Sequence, residues 1–328
     1  MRSVLTLIGG LAFFLGTNLG NQAQAAETFP VKPIECIVAQ EAGADGDTLS
    51  RQVMKNASPI IGQPIMIVNK PGGGSALGFR ELQRAKPDGY SVGWASSTLI
   101  GNKLQGLSNI DHHDFTLLGA YATYFPVILA SKSSKHPFKT IQEAMSFAKA
   151  HPGEVSMAIA WVGGAWWIAA QAFLAATGLE INAIPTAGSG AMSVAQAAGG
   201  HTDLCIVALG ASRSMIEAGQ VRLLATLGEN RLWAPFDQVP TIKELGYDVT
   251  YESPNFVMGP PKMAKPVVDT WVKTIKQAVD QPEFKQFLSE RGARWNYLPP
   301  DQMIPSLDKQ RDVMRVIMGK AGILKESK

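Results

Sequence analysis

Four glycine-bearing turns stand where an apolar strand should feed a helix. They are Ala42-Gly43-Ala44-Asp45-Gly46-Asp47, Pro71-Gly72-Gly73-Gly74-Ser75, Trp161-Val162-Gly163-Gly164 (with Ala165 following) and Ala187-Gly188-Ser189-Gly190. Glycine lets a ligand approach the backbone closely. The start of a helix offers free N–H groups and the positive end of the backbone dipole, so such turns favour an anion. None of the four contains Lys or Arg. A phosphate site often adds such a cation, whereas a carboxylate can be held by N–H and hydroxyl donors alone. Ser96, Ser97 and Thr98, just past an expected strand, would supply hydroxyls. Any one of these turns is equally an ordinary strand-to-helix connection; the four together carry the expectation of anion binding. Trp161, Trp166 and Trp167 surround the third turn. They either staple the helix into the core or line a pocket for an apolar or aromatic part of a ligand.

Other chemistry is weaker. Gly72-x-Gly74-x-x-x-Gly78 approaches a dinucleotide fingerprint, but its third glycine is one position late and no acidic residue follows at the ribose-binding distance. Phosphate-loop, zinc-hydrolase and nucleophile-elbow motifs are absent. His112-His113-Asp114 could ligate a metal or form a dyad, but a solvated loop is the simpler reading. No metal or cofactor is expected. Glu41, Asp45 and Asp47 could suggest paired carboxylates; Asp47 reads more simply as a helix N-cap. Cys36 and Cys205 sit in apolar runs and read as buried thiols, although export would permit a bridge.

The elements that must hold these turns are short strands alternating with amphipathic helices. Strands are expected over 34–39, 65–69, 90–95, 127–130, 155–160, 179–185, 203–208, 221–226 and near 256–259. Helices are expected over 47–61, 75–85, 140–150 (with Thr140 as N-cap), 166–177, 191–198, 213–218, 266–280, 282–291 and 300–320. This is the βαβ rhythm of parallel sheets. The length of 328 residues suggests two domains at about 150 residues each. Hydrophobic residues make up 46% and charged residues 17%, which allows a large core. A net charge of +3 with no basic run argues against a nucleic-acid partner. The start reads as an export signal over 1–25: Met1-Arg2, an apolar stretch over 4–15, and an Ala23-Gln24-Ala25 cleavage site.

The chain from Phe29 to about Gly322 resembles the solute-binding proteins of tripartite tricarboxylate transporters. Phe29-Pro30-Val31-Lys32-Pro33-Ile34 resembles the family's Y-P-x-K-P-I opening. The segment 42–51 matches A-G-G-x-x-D-x-x-A-R, and 68–75 matches V-x-N-x-P-G-A-G-G. Ala85-Lys86-Pro87-Asp88-Gly89-Tyr90 matches A-x-P-D-G-Y, 199–203 resembles G-G-x-V-D, and 239–246 matches V-P-T-x-x-E-x-G. The resemblance implies an α/β, two-domain periplasmic-binding-protein fold of type II, with a central ligand cleft and two crossing hinge segments. It places domain one over 27–126 plus 252–328 and domain two over 127–251. It implies a periplasmic receptor, not an enzyme, that captures an organic carboxylate and delivers it to integral-membrane permease subunits. An exported carboxylate enzyme and a sensing receptor are the alternatives. The family's Ser-x-Gly-x-Gly-Ser segment is replaced by residues at Ala160, Val162, Gly164 and Ala165, with Trp167 near its usual His. Its Pro-Tyr-basic-Gly becomes Pro185-Thr186-Ala187-Gly188. Polar donors are lost and indole is gained, which shifts the expected ligand toward a bulkier or flatter, aromatic acid.

Overall fold

The computed structural model describes residues 29–160, 162, 164–186 and 190–325. The export signal expected over 1–25 lies outside the described residues, as do Trp161, Gly163, Ala187 and Gly188.

The first strand, β1 (Ile34–Val38), is buried except at Glu35. It leads into α1 (Asp45–Ile61), which turns Leu49, Val53, Met54, Ala57 and Ile61 onto the sheet. β2 (Ile65–Asn69), α2 (Ala76–Arg84) and β3 (Ser91–Ser96) complete a βαβαβ run. Gly93 is needed in β3 because a Cβ there would lie 2.9 Å from the Ile37 carbonyl oxygen. α3 (Thr98–Leu104) follows directly, and then β4 (Thr116–Tyr124). The chain then passes to a second set of elements: β5 (Pro126–Ser131), α4 (Ile141–Ala150), β6 (Ser156–Ile159), α5 (Ala165–Thr177), β7 (Asn182–Pro185), α6 (Gly190–Ala198), β8 (Leu204–Ala208), α7 (Leu209–Glu217) and β9 (Val221–Thr226). It returns with β10 (Ser253–Gly259), α8 (Lys265–Val279), α9 (Pro282–Glu290), β11 (Ala293–Leu298) and α10 (Pro300–Lys320).

Two sheets result. One has the order β11-β4-β10-β3-β1-β2 and the other β7-β6-β8-β5-β9. β1 pairs in parallel with β2 and β3, and β6 in parallel with β7 and β8. The strands that carry the chain between the sheets, β4, β5, β9 and β10, run antiparallel to their neighbours. One buried apolar cluster joins the two halves, from Ala95 through Ile128, Met157, Trp167 and Ile168 to Met314 of α10.

Three elements escape the periodicity argument. β4 is almost wholly buried, so its TLLGAYATY run lacks the polar alternation of a half-exposed strand. α3 has only seven residues, and β11 reads as a turn-rich stretch between helices. Thr140 caps α4 as expected, its hydroxyl accepting the Glu143 N–H at 3.1 Å. The 112–114 segment is not a solvated loop. It forms a short 3-10 turn in which Asp111 and Asp114 make a capping box. His112 is buried there, and the Nε2 atoms of His112 and His113 meet one Asp308 oxygen at 3.2 and 2.9 Å. This ties the turn to α10. Cys36 and Cys205 are free and buried in different sheets, and burial pushes both thiols up, Cys36 to about 12.

Candidate functional site

The carboxyl ends of β1, β3, β6, β7 and β8 point into one crevice between the two sheets. Ligand crevices of α/β sheets form at such ends. The cavity measures about 780 Å³, within the usual range for a small-molecule site. Gln40 to Asp45, Trp94, Ser96, Thr98, Tyr124, Ser253 and Asn255 line it from the first sheet. Ala165 and Trp166, Gly190 and Ala191, and Gly210 and Ala211 line it from the second, at the starts of α5, α6 and α7. Phe287, Glu290 and Arg291 close the rim at the end of α9.

The loop between β1 and α1 is held by its own sequence motif. Asp47 does not cap α1; the helix begins at Asp45, and Ala44 occupies the cap position without a side-chain bond. From the third helical position Asp47 reaches back and accepts the Gly43 N–H at 2.9 Å. The same carboxylate accepts Arg51 Nε at 2.9 Å and Asn69 Nδ2 at 2.8 Å. Burial alone would raise its pKa, but the bonds from Arg51, Gly43 and Asn69 outweigh this and hold it below the usual carboxylate range. The Gly46 N–H is likewise taken, by Gln40 Oε1 at 2.8 Å. Gly46 is required because a Cβ there would lie 2.6 Å from the Trp94 ring. That indole donates to Asn255 Oδ1 at 3.0 Å, so two lining side chains fix each other. The loop therefore spends much of its donor capacity on itself. The entrances of α5, α6 and α7 face the same cavity from the other sheet.

Asp47→Ala should therefore strip a buttress rather than a ligand contact. Expected is a loss of about 1–3 kcal/mol of stability, because the Gly43 N–H and the Arg51 and Asn69 donors lose their acceptor. Equilibrium urea unfolding measures it. The pH dependence follows from the depressed pKa. The stability that Asp47 provides is full above the unfolded carboxyl value of about 3.9 and is lost as pH falls through the lower folded value. The Asp47→Ala protein should lack that component of acid unfolding.

The lining carries three carboxyl side chains, Glu41, Asp45 and Glu290, against one guanidinium, Arg291. Asp45 lines the cavity and is exposed. Protein crowding around its carboxyl raises the pKa above the usual range, with the Arg291 charge opposing. Burial raises the Tyr124 hydroxyl as well, helped by the Asp45 charge, so these two groups share one space. Trp166 meets Tyr124 edge-on, with ring centroids 6.5 Å apart.

Of the residues expected at the site, Ala42, Gly43, Ala44, Asp45, Ser96, Thr98 and Ala165 line the cavity. Others stand elsewhere. Ser97 is fully buried and bonds Ser253 Oγ at 2.8 Å, a staple behind the cavity. Gly74 and Ser75 turn the chain into α2, where the Gly74 carbonyl accepts Asn102 Nδ2 at 2.7 Å. Val162 is 56% exposed and absent from the lining, and Gly164 is the N-cap of α5. The Thr186 hydroxyl is occupied by the Ile159 carbonyl and Ser193. Trp167 faces the core and Trp166 faces the cavity, the reverse of the order the family pattern suggested. Sequence reasoning did not find Trp94, Asn255, Phe287 and Arg291. Tyr124 and Asn255 lie in the crossing segments that the family resemblance implies, 124–130 and 251–258, which was the available signal; Phe287 and Arg291 lie in a helical stretch with none.

Residues 49–317 match the family model described as "Tripartite tricarboxylate transporter family receptor". The "UPF0065 protein in gbd 5'region" of Cupriavidus necator is 29% identical over 306 residues, 93% of this chain and 91% of that protein. "Protein BugT" of Bordetella pertussis is 28% identical, covering 92% of each chain. Among solved structures, one titled "Structure of a periplasmic transporter" aligns with a TM-score of 0.78 at 27% identity, over 90% of this chain and 99% of that one. A Polaromonas TctC solute-binding protein aligns at 0.76, over 89% of this chain and 100% of that one, with 24% identity. An R. palustris protein solved with adipate aligns at 0.79 with 24% identity, over 90% and 98% of the two chains. The fold is thus that of the TctC solute-binding proteins, as the motifs implied.

Proposed function

The chain belongs to the tripartite tricarboxylate transporter receptors, a family of solute-binding receptors and not of enzymes, and from that premise we propose that it captures a flat or bulky organic carboxylate in the cavity between its sheets. It does so in the periplasm and hands the acid to integral-membrane permease subunits. The two lobes that the resemblance implies, 27–126 with 252–328 and 127–251, would close on the ligand by hinging where β4 meets β5 and where the chain re-enters β10.

The observation that carries this reading is convergence. The starts of α1, α5, α6 and α7, drawn from both sheets, face one cavity. Their dipoles and free N–H groups sum to a field for a small anion. Ser96 and Thr98 add hydroxyl groups beside them. Because Asp47 and Gln40 already occupy two N–H groups of the α1 loop, the carboxylate sits against the second-sheet wall, at Ala165 and Gly190. Trp94, Tyr124, Trp166 and Phe287 supply an aromatic surround, which supports a flat acid.

Isothermal titration and thermal shift with a panel of acids, amines and sugars test the proposal. An acid should bind with Kd of about 1 μM or tighter, near −8 kcal/mol. At a hundredfold excess over Kd it should add about 2.7 kcal/mol of stability. A panel in which a sugar or a simple amine shifts Tm and no acid does would overturn it.

A further inference from the structure

We propose that the acid this cavity takes also carries a positively charged nitrogen, and that Asp45 is the residue that selects it. The inference rests on the carboxylate-receptor reading and adds the second half of the ligand.

The charges around the cavity are distributed unevenly. On the second-sheet wall, Ala165, Trp166, Gly190, Ala191, Gly210 and Ala211 bring backbone and apolar groups without an acid. The residues of that wall outside the described set, Trp161, Gly163 and 187–189, have no ionisable side chain either. On the opposite wall and rim stand Glu41, Asp45 and Glu290, with Arg291 as the one base in the lining. A ligand with carboxylates at both ends would place one of them against three acids. A ligand with a carboxylate at one end and an ammonium or protonated amine at the other matches both walls.

Asp45 is the acid best placed to read that nitrogen. It occupies the first position of α1, so its backbone is fixed while its side chain faces the cavity. Among the described residues no hydrogen bond or ion pair engages its carboxylate; Arg291 acts on it only through the charge, and Tyr124 shares its space. Asp47, two residues on, is by contrast committed to Gly43, Arg51 and Asn69. Among the described residues both oxygens of Asp45 are thus unengaged at the exposed mouth of the cavity, where a charged nitrogen finds a charge-assisted hydrogen bond.

Matched ligand pairs test the proposal on the full protein. Para-(aminomethyl)benzoate is compared with para-ethylbenzoate, and ω-aminocaproate with heptanoate, with adipate as the dicarboxylate control. Calorimetry at neutral pH should show the ammonium member of each pair bound about tenfold or more tightly than its neutral isostere, and more tightly than adipate. Asp45→Asn, which keeps size and polarity at an exposed helix start, should reduce the preference to near unity. Glu41→Gln should reduce it less. Tighter binding of the neutral isosteres or of adipate by the unaltered protein overturns the proposal and leaves the receptor reading intact. An ammonium preference that survives Asp45→Asn overturns the role of Asp45. Absence of binding by every acid would remove the receptor reading and this inference with it.

Discussion

Replacing Gly210 by alanine should weaken ligand binding by roughly 5- to 150-fold while each half of the protein stays folded. Gly210 begins α7 on the second-sheet wall, and its backbone lies against the segment 291–292 that follows α9 on the other side. A Cβ built on Gly210 would stand 1.9 Å from the Arg291 carbonyl oxygen, and one on Gly292 would stand 2.5 Å from the Gly210 nitrogen. These are backbone contacts, so no rotamer change relieves them. A methyl group needs the two walls to part by about 1.5 Å to reach ordinary contact distance. Overpacking of this kind costs about 1–3 kcal/mol. Here the strain falls on the relative position of the two walls rather than on either core, so the arrangement that binds ligand becomes the minor one and apparent affinity drops by the same factor. Arg213 of α7, whose guanidinium donates to the Ser289 and Glu290 carbonyls at the end of α9, would lose its partners in the same movement. Titration calorimetry of the Gly210→Ala and Gly210→Val proteins measures the loss, with circular dichroism as the check on folding. Wild-type affinity in both would show that the ligand-bound form does not bring α7 against 291–292.

Trp166 and Trp167 are neighbours buried to about the same degree, at 8% and 7% exposure, yet only the first should matter to the ligand. Trp167 lies in the cluster that joins α5 to α10, with Ile168, Phe173, Met314 and Ile317. Trp167→Ala should cost about 3–5 kcal/mol of stability, the usual penalty for removing a large core aromatic. Whatever protein remains folded should keep its affinity, because no part of that ring lines the cavity. Trp166 lines the cavity and stands edge-on to Tyr124. Trp166→Ala should lower affinity for an aromatic acid by about 2- to 12-fold, the value of an indole contact beyond its buried area. Its fluorescence should respond to ligand, and that of Trp167 should not. Chemical denaturation of both variants, with fluorescence titration of the single-tryptophan reporters, separates the two. Wild-type affinity in Trp166→Ala would mean that this ring, too, serves only the core.

The sequence by itself determined most of the βα units and the places where they turn. Apolar runs, glycine turns and helix caps are local signals, and residues 34–95 and 126–226 follow them closely. The six motifs also named the family before any coordinate was known. What the motifs do was not legible. Asp47 reads as a helix cap in the sequence, yet it binds Arg51 and, across a separation of 22 residues, Asn69, and holds the loop from behind. Which of two adjacent tryptophans meets the ligand was also beyond it. A helix rotates successive residues by about 100°, so the answer depends on which face of α5 the cluster with α10 claims. β4 was missed because a strand buried on both faces has no alternation to detect. Phe287, Glu290 and Arg291 come to the cavity from some 30 to 250 residues away, after the chain has returned to its first sheet. Only tertiary structure sets one acid-bearing wall against another built from helix starts, because the charge balance of a cavity is a property of segments that meet in space and leave no spacing in the chain.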